Sequence, residues 1–277
     1  GKQTILVKVD ENIEIEKEVA LTRGENIIKI PFEIKNPKRW WPNGMGDSFL
    51  YDVQVGIENG NSIKHNIGLR TIELVTEKDS IGESFYFKVN GHRIFAKGAN
   101  TIPFDNFLPR VSPERYEDII KSAADANMNM LRVWGGGIYE DKAFYEMCDK
   151  YGILVWQDFM FACSFFPGTP EFLENVKQEA IDNVIRLRNH PSIALWCGNN
   201  EIEDAWKHWG WNKFDDKNEE AYKKIFLEVL PKVVDEFHPQ VRYWSSSPSS
   251  GSYDLSPRLI THGDTHYWQY RQEFEPI

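Results

Sequence analysis

Over the first 77 residues, apolar and polar positions alternate with a period of two. Residues 4–9 read TILVKV, Ile13, Ile15 and Val19 alternate with Glu and Lys, and residues 25–34 read ENIIKIPFEI. After the turn-rich PNGMGD at 42–47 the alternation resumes over 49–55, 63–67 and 69–75. Alternation of this kind places every second side chain on one face, so about six short strands between turn signals predict a β-sandwich. An immunoglobulin-like sandwich has about seven strands. The pattern is already under way at the first residue, so we expect an additional strand upstream.

From residue 78 the period changes. Residues 85–89 (FYFKV) and 93–96 (RIFA) flank Asn90-Gly91, the pair favoured in a two-residue hairpin turn. Residues 94–100 then form an apolar run that ends in polar residues. Ser112-Pro113-Glu114 supplies a helix cap and a proline at the first helical position, followed by Tyr116, Ile119, Ile120, Ala123 and Ala124 at helical spacing. The unit repeats. Predicted strands at 129–134, 152–157, 193–196 and 241–244 are separated by predicted helices at 141–151, from Thr169-Pro170-Glu171 to 189, and at 219–237, the last kinked at Pro231. A sixth strand is expected from 259–260 towards Tyr267 and Trp268.

Strands alternating with helices predict a parallel sheet. Every predicted strand ends in polar, glycine-rich or aromatic residues, which suits the shared catalytic rim of a (β/α)8 barrel. A doubly wound sheet fits less well, because Gly135-Gly136-Gly137 has neither the spacing of a phosphate-binding loop nor its lysine. We therefore expect an immunoglobulin-like β-sandwich (residues 1–77) followed by a TIM-type barrel (78–277). Residues 94–277 make 184 positions, against about 250 for a whole barrel. The expectation is accordingly a barrel truncated at its C-terminus, with about six of eight units.

Composition changes this picture in two ways. Aromatic residues make up 14% of the chain, with 10 Trp; these suit sugar rings or, equally, a large aromatic core. The net charge of -10 carries no basic block, which argues against nucleic acid as a partner. Cys148, Cys163 and Cys197 are odd in number and widely spaced, so we read them as buried thiols rather than as a disulfide or zinc framework. No apolar run approaches the ~18 residues of a membrane span, so no membrane insertion is expected. The opening GKQTILVKVD lacks a signal-peptide layout, as in a soluble protein that is not exported, or in a periplasmic or secreted one whose leader has been removed. No cofactor and no metal is called for.

The stretch at 193–201, IALWCGNNE, carries the candidate chemistry. A buried strand that stops at Asn200-Glu201 can project a carboxylate and an amide above a barrel rim; the bland alternative is a strand end with a solvated Glu. Asp158 ends the third strand, either as a substrate-binding rim residue or as an ion-pair partner of Arg132 or Arg186. His262, Asp264 and His266 alternate, and we read them as rim residues contacting sugar or carboxylates, with a metal site as the alternative. Asn100 and Arg132 suit a polar network beneath the acid, Arg132 reading equally as a barrel-layer residue. Trp206, Trp209 and Trp211 fall in a stretch too polar for a core helix; we take Trp209 as functional and the other two as packing. Trp40 and Trp41 read as a structural plug between domains, with an exposed sugar-stacking loop as the alternative. No Ser-His-Asp arrangement or G-x-S-x-G is present, against an esterase.

The motifs IFAKGANTIPFD, NMLRVWGGGIYE, GILVWQDFMFAC, NHPSIALWCGNNE and GDTHYW, in this order, resemble the β-mannosidases of glycoside hydrolase family 2, from about Arg39 onwards. The resemblance implies an immunoglobulin-like domain followed by a catalytic barrel, and release of terminal β-D-mannose with retention. It makes Glu201 the general acid/base and Asn200 a partner of the sugar 2-hydroxyl. Trp134 would wall the mannose subsite and Trp209 would lie over its mouth, with Asp158 and His266 as further substrate-binding candidates. Such an acid should be raised in pKa by burial among aromatics, Trp196 and Trp209 being candidates. Implied partners are β-mannoside oligosaccharides or glycoconjugates, and further domains of the same polypeptide. The second carboxylate should be a Glu on a seventh strand, expected beyond residue 277, since Glu273 and Glu275 lack an apolar strand around them. Another exo-glycosidase of the family, of β-galactosidase or exo-glucosaminidase type, and a non-catalytic carbohydrate-binding module are the alternatives.

Overall fold

The computed structural model describes residues 1–268. The expected alternation yields strands β1 (Lys2–Val9), β2 (Ile13–Ala20), β3 (Tyr51–Ile57) and β4 (Ser62–Ile67), paired as one antiparallel sheet in the order β2-β1-β3-β4. Val7, Val9, Tyr51 and Val53 form its buried face, covered by Ile30, Ile34, Phe49 and Leu69. The strand expected at 25–34 does not form. Pro31 has no N–H to give to a ladder, so this stretch covers the sheet as irregular chain, with Ile27 left exposed. One four-stranded sheet with an irregular cover stands where a two-sheet sandwich was expected.

The fifth strand, β5 (Ile72–Val75), belongs elsewhere. It pairs with β6 (Tyr86–Val89), which pairs with β7 (His92–Ile94) across Asn90-Gly91, both at positive φ as a tight hairpin turn requires. Strands β8 (Gly98–Thr101), β9 (Met130–Val133), β10 (Leu154–Asp158), β11 (Ile193–Cys197) and β12 (Tyr243–Trp244) then form a parallel sheet in chain order. Every residue of β10 and β11 is buried, as expected for strands covered on both faces. Sequential parallel order is that of a barrel wall; among the described residues the sheet has five strands and is not closed. The sixth strand expected at 259–260 is absent: residues 259–268 are turns, bends and irregular chain, joined to the rest by a bridge between Asp264 and Ser249.

The crossovers follow the predicted caps. Helix α1 (Pro113–Asp125) starts at Ser112, whose side chain accepts from the Arg115 amide, and α3 (Pro170–Leu187) starts at Thr169 in the same way; each such cap contributes about 1 kcal/mol. Between them, α2 (Lys142–Tyr151) is capped by Asp141 and ends at Gly152 with φ 70°, where only glycine is unstrained. Helix α4 (Ile202–His208) was not expected, because its polar residues masked an element whose first five positions are buried. Helices α5 (Lys217–Tyr222) and α6 (Leu230–Phe237) enclose a π-helical stretch, Lys223–Val229. Pro231 cannot donate to the carbonyl four residues back, and the helix widens immediately before it. No helix among the described residues is long and apolar enough to cross a membrane.

The 40–48 loop ties the first sheet to the rest. Trp40 is fully buried in the main core, its Nε1 donating to the Asp149 carbonyl at 2.8 Å. The Asn43 amide donates to the Gly152 carbonyl at 2.7 Å, and its side chain to the carbonyls of Ala124 and Met128. From the hairpin sheet, Phe85 packs on Trp156 and Trp244.

Candidate active site

The end of β11 is built by backbone contacts. Gly198 lies so close to the next strand that a Cβ there would stand 2.3 Å from the Ser245 carbonyl oxygen. Beyond it, Asn199 is buried. Its Nδ2 donates to the Ser245 carbonyl, and its Oδ1 accepts from Ser246 Oγ and from the Ile202 amide, which closes the first turn of α4. The Asn200 amide donates to the Phe161 carbonyl at 2.9 Å, and the Glu201 amide to the Ser247 carbonyl at 2.9 Å. Glu201 itself has φ 63°. A non-glycine residue held there costs about 1–3 kcal/mol, and surrounding bonds must impose it. The result turns its carboxylate into a cavity of about 670 Å³ lined by Asn100, Arg132, Trp134, Trp156, Asn200 and His266.

The Glu201 side chain is 15% exposed. Its Oε1 lies 2.6 Å from His266 Nδ1, and its Oε2 accepts from Cys163 Sγ at 3.5 Å. Burial pushes the carboxyl pKa up, but the His266 bond and charge, with contacts from Cys163 and Trp268, outweigh it and hold Glu201 below the ordinary value. This corrects the expectation that aromatic surroundings raise it. The ring bonded to Oε1 is an imidazole, and Trp196 is a core residue whose Nε1 donates to His238. Burial raises the Cys163 thiol to about 11, so it stands beside Glu201 as a neutral donor.

Arg132, near the end of β9, is the hub beneath the cavity. It donates to both oxygens of Asp158 (3.2 and 2.8 Å) and to Asn200 Oδ1 (3.0 Å), and its Nη1 lies 3.3 Å from His266 Nε2. Asp158 is completely buried and also accepts from Trp156 Nε1 and the Gly135 amide. Of its two readings, the ion pair with Arg132 is the arrangement observed: Asp158 is absent from the cavity lining and orients the residues that do line it. Ser247 Oγ donates to Asp264 Oδ2 at 2.6 Å and lies 3.0 Å from His266 Nε2. Burial raises Asp264 in pKa despite bonds from Ser247 and Trp244.

The sequence candidates divide accordingly. Glu201, Asn200, Trp134 and His266 share the cavity. Trp209 does not line it; the indole, 43% exposed, borders a neighbouring cavity and donates to Asp204. Asp264 and His266 converge on Ser247, whereas His262 turns away to Thr261. No group of three metal-ligating side chains occurs among the described residues. Glu273 and Glu275 lie outside the described residues. Sequence reasoning missed Ser247, and it read Cys163 as a buried thiol where the structure has it exposed beside Glu201. The serine run after β12 was a signal for Ser247; Cys163 gave none, because its place depends on a backbone turn with φ 41°.

Residues 2–70 match the family model "Glycosyl hydrolases family 2". The chain is 41% identical over 267 residues to β-mannosidase B of Aspergillus clavatus, covering 92% of this chain and 31% of that protein. The Aspergillus niger β-mannosidase B is 44% identical over 260 residues, 89% of this chain and 30% of that one. Among solved structures, the β-D-mannosidase of Dictyoglomus thermophilum superposes with a TM-score of 0.91 at 41% identity, over 99% of this chain and 34% of that one. A β-glucuronidase of Parabacteroides merdae, at 18% identity and TM-score 0.69, shares the fold. The chain thus spans about a third of the length of the curated relatives it matches. The likeness covers most of the chain rather than only the part after Arg39.

Proposed function

We propose that this chain, which carries a glycosyl hydrolases family 2 domain, is the acid/base-bearing part of a retaining β-mannosidase that releases terminal non-reducing β-D-mannose. The observation that carries the reading is Glu201: a carboxylate at a parallel strand end, turned into a cavity and held on both oxygens. The similarity to curated β-mannosidases supplies the glycone.

In this mechanism two carboxyl groups about 5–5.5 Å apart flank the glycosidic bond. Glu201 gives its proton to the glycosidic oxygen as the C1–O bond breaks. The second carboxylate bonds to C1, and the leaving group departs as an alcohol. The ionised Glu201 then takes a proton from water, which attacks C1, frees mannose and restores both carboxyl groups. A negative nucleophile nearby would raise Glu201 and help it hold the proton that His266 draws away. Asn200, oriented by Arg132, can strengthen a bond to the 2-hydroxyl as positive charge develops at C1. Trp134 walls the sugar site. Asp264, the other carboxylate lining the cavity among the described residues, accepts from Trp244, Ser247 and Ser249. We therefore assign the nucleophile to a carboxylate outside the described residues.

The test is Glu201→Ala in a full-length protein carrying this chain. Hydrolysis of mannosides with poor leaving groups should nearly cease. Activated aryl mannosides should suffer less and be rescued by azide, which replaces the base-activated water. Equal losses on both substrates would remove Glu201 from the acid/base role. A panel of aryl β-mannoside, β-galactoside and β-glucosaminide checks the glycone.

A further inference from the structure

Asp264 reaches the acid through two intermediaries. Its Oδ1 accepts from Trp244 Nε1 at 2.8 Å and from the Ser249 amide at 3.0 Å. Its Oδ2 lies 2.6 Å from Ser247 Oγ, which lies 3.0 Å from His266 Nε2; His266 Nδ1 in turn lies 2.6 Å from Glu201 Oε1. Two carboxylates are thus joined by a hydroxyl and an imidazole, groups that can each donate or accept.

The Asp264 end decides how the hydrogens along this chain are arranged. An indole N–H and a backbone amide can only donate, so Oδ1 is an acceptor. The distance from Oδ2 to Ser247 Oγ is that of a hydroxyl donating to a carboxylate. A serine has one such hydrogen. Once it is given to Asp264, Ser247 offers His266 only a lone pair, and Nε2 must carry a hydrogen to bond to it. Nδ1 faces the Glu201 carboxylate with a second hydrogen. The ring is then an imidazolium, whose charge favours the ionised form of Glu201.

The other charged groups around the ring set the balance. Arg132 Nη1, 3.3 Å from Nε2, opposes a positive ring, but its own charge is matched by Asp158. Cys163 meets the far oxygen of Glu201 as a neutral thiol, and Glu203, beyond Ser249, is held towards its neutral form by burial. Among the described residues, Asp264 is therefore the carboxylate that supports charge on the Nε2 side of the ring.

We propose that Asp264 is a positioning residue for the acid/base: by holding the Ser247 hydrogen it keeps a proton on His266 Nε2, and so sets how tightly Glu201 holds its own. The proposal rests on Glu201 being the acid/base. Asp264 can act on Glu201 by two routes, and they have opposite signs. Acting directly, loss of its negative charge would make Glu201 easier to ionise. Acting through the ring, the loss does the reverse. In Asp264→Asn the Trp244 and Ser249 donors select the amide oxygen at the Oδ1 position, which leaves the NH2 facing Ser247 Oγ. The Ser247 hydrogen is released to Nε2, the ring becomes neutral with its hydrogen on Nδ1, and Glu201 becomes harder to ionise.

The experiment uses a full-length protein carrying this chain. kcat/KM is followed against pH for phenyl β-mannoside, whose leaving group needs a proton, and for 2,4-dinitrophenyl β-mannoside, whose leaving group does not. On the phenyl substrate, Asp264→Asn and Ser247→Ala should move the alkaline limb up by about 0.5–1 pH unit. On the dinitrophenyl substrate both should stay within about twofold of wild type. In a His266→Ala background, adding Asp264→Asn should give no further upward shift. Ser247→Ala carries the same test where Asp264→Asn fails to fold. A limb that stays or moves down in these variants would overturn the proposal, as would equal losses on both substrates without a shift. An upward shift that persists undiminished without the imidazole would also overturn it. Glu201→Ala separates the two readings. If it abolishes the alkaline limb, an unmoved limb in Asp264→Asn counts against Asp264 alone; if the limb survives in Glu201→Ala, the acid/base reading falls and this proposal with it.

Discussion

Glu203 offers a test of how the helix behind the acid is stabilised. Its side chain is fully buried; Oε2 accepts from Tyr222 (3.2 Å) and Ser249 (3.4 Å), and Oε1 has no partner among the described residues. Burial raises its pKa from 4.5 to about 7, against smaller opposing effects of Lys207, Tyr222 and Ser249. A carboxyl group raised on folding binds its proton more tightly in the native state. Its stabilising effect is complete below the unfolded value and is lost as pH rises from about 4.5 to about 7. At about 1.4 kcal/mol per pH unit, the whole loss is about 3 kcal/mol. Glu203→Gln cannot ionise, keeps an acceptor for Tyr222 and Ser249, and should lack this term. Urea or thermal unfolding of the full-length protein at pH 5 and pH 8 gives the difference, and hydrogen exchange of the 202–208 amides localises it. Wild type should lose about 3 kcal/mol more than Glu203→Gln between these pH values, or about two decades in exchange protection of α4. Identical pH dependence in both proteins would refute a buried acid whose proton stabilises this helix.

Two further outcomes follow from the network around Arg132 and His266. Removing the ring in His266→Ala takes away the bond and charge that hold Glu201 down, so the alkaline limb of the kcat/KM–pH profile should move to higher pH; a limb that stays or moves down would contradict the coupling. Arg132→Met strands the completely buried Asp158 carboxylate and should destabilise by about 3–5 kcal/mol, whereas Arg132→Met with Asp158→Leu should recover much of the loss; equal unfolding midpoints for single and double variants would show that the ion pair is not what holds the two residues.

The parallel part of the fold was legible because its strands are short apolar runs and its helices carry explicit caps, such as Ser112-Pro113 and Thr169-Pro170. Asn200, Glu201 and Trp134 were read at the ends of strands that form, whereas His266 was read on a sixth strand that does not form and reaches the same cavity from irregular chain. Three things were not legible. Pro31 keeps the 25–34 alternation from forming a strand, although Ile30 and Ile34 still cover the sheet. Helix α4 buries charged residues, Glu203 and Asp204 among them, so its polarity read as a loop. The sign of the Glu201 shift depends on an imidazole 65 residues away in sequence, a contact set by the turn of the chain after β12 rather than by any local pattern.

Asn200 forms parallel bridges to both Ala162 and Ser247, so sheet hydrogen bonding runs on past the last strand residue to the neighbour of the acid. Glu201 is thereby fixed to the framework of the sheet, and the chain around Arg258 is carried separately by α4. A change in that outer segment can leave Glu201 in register.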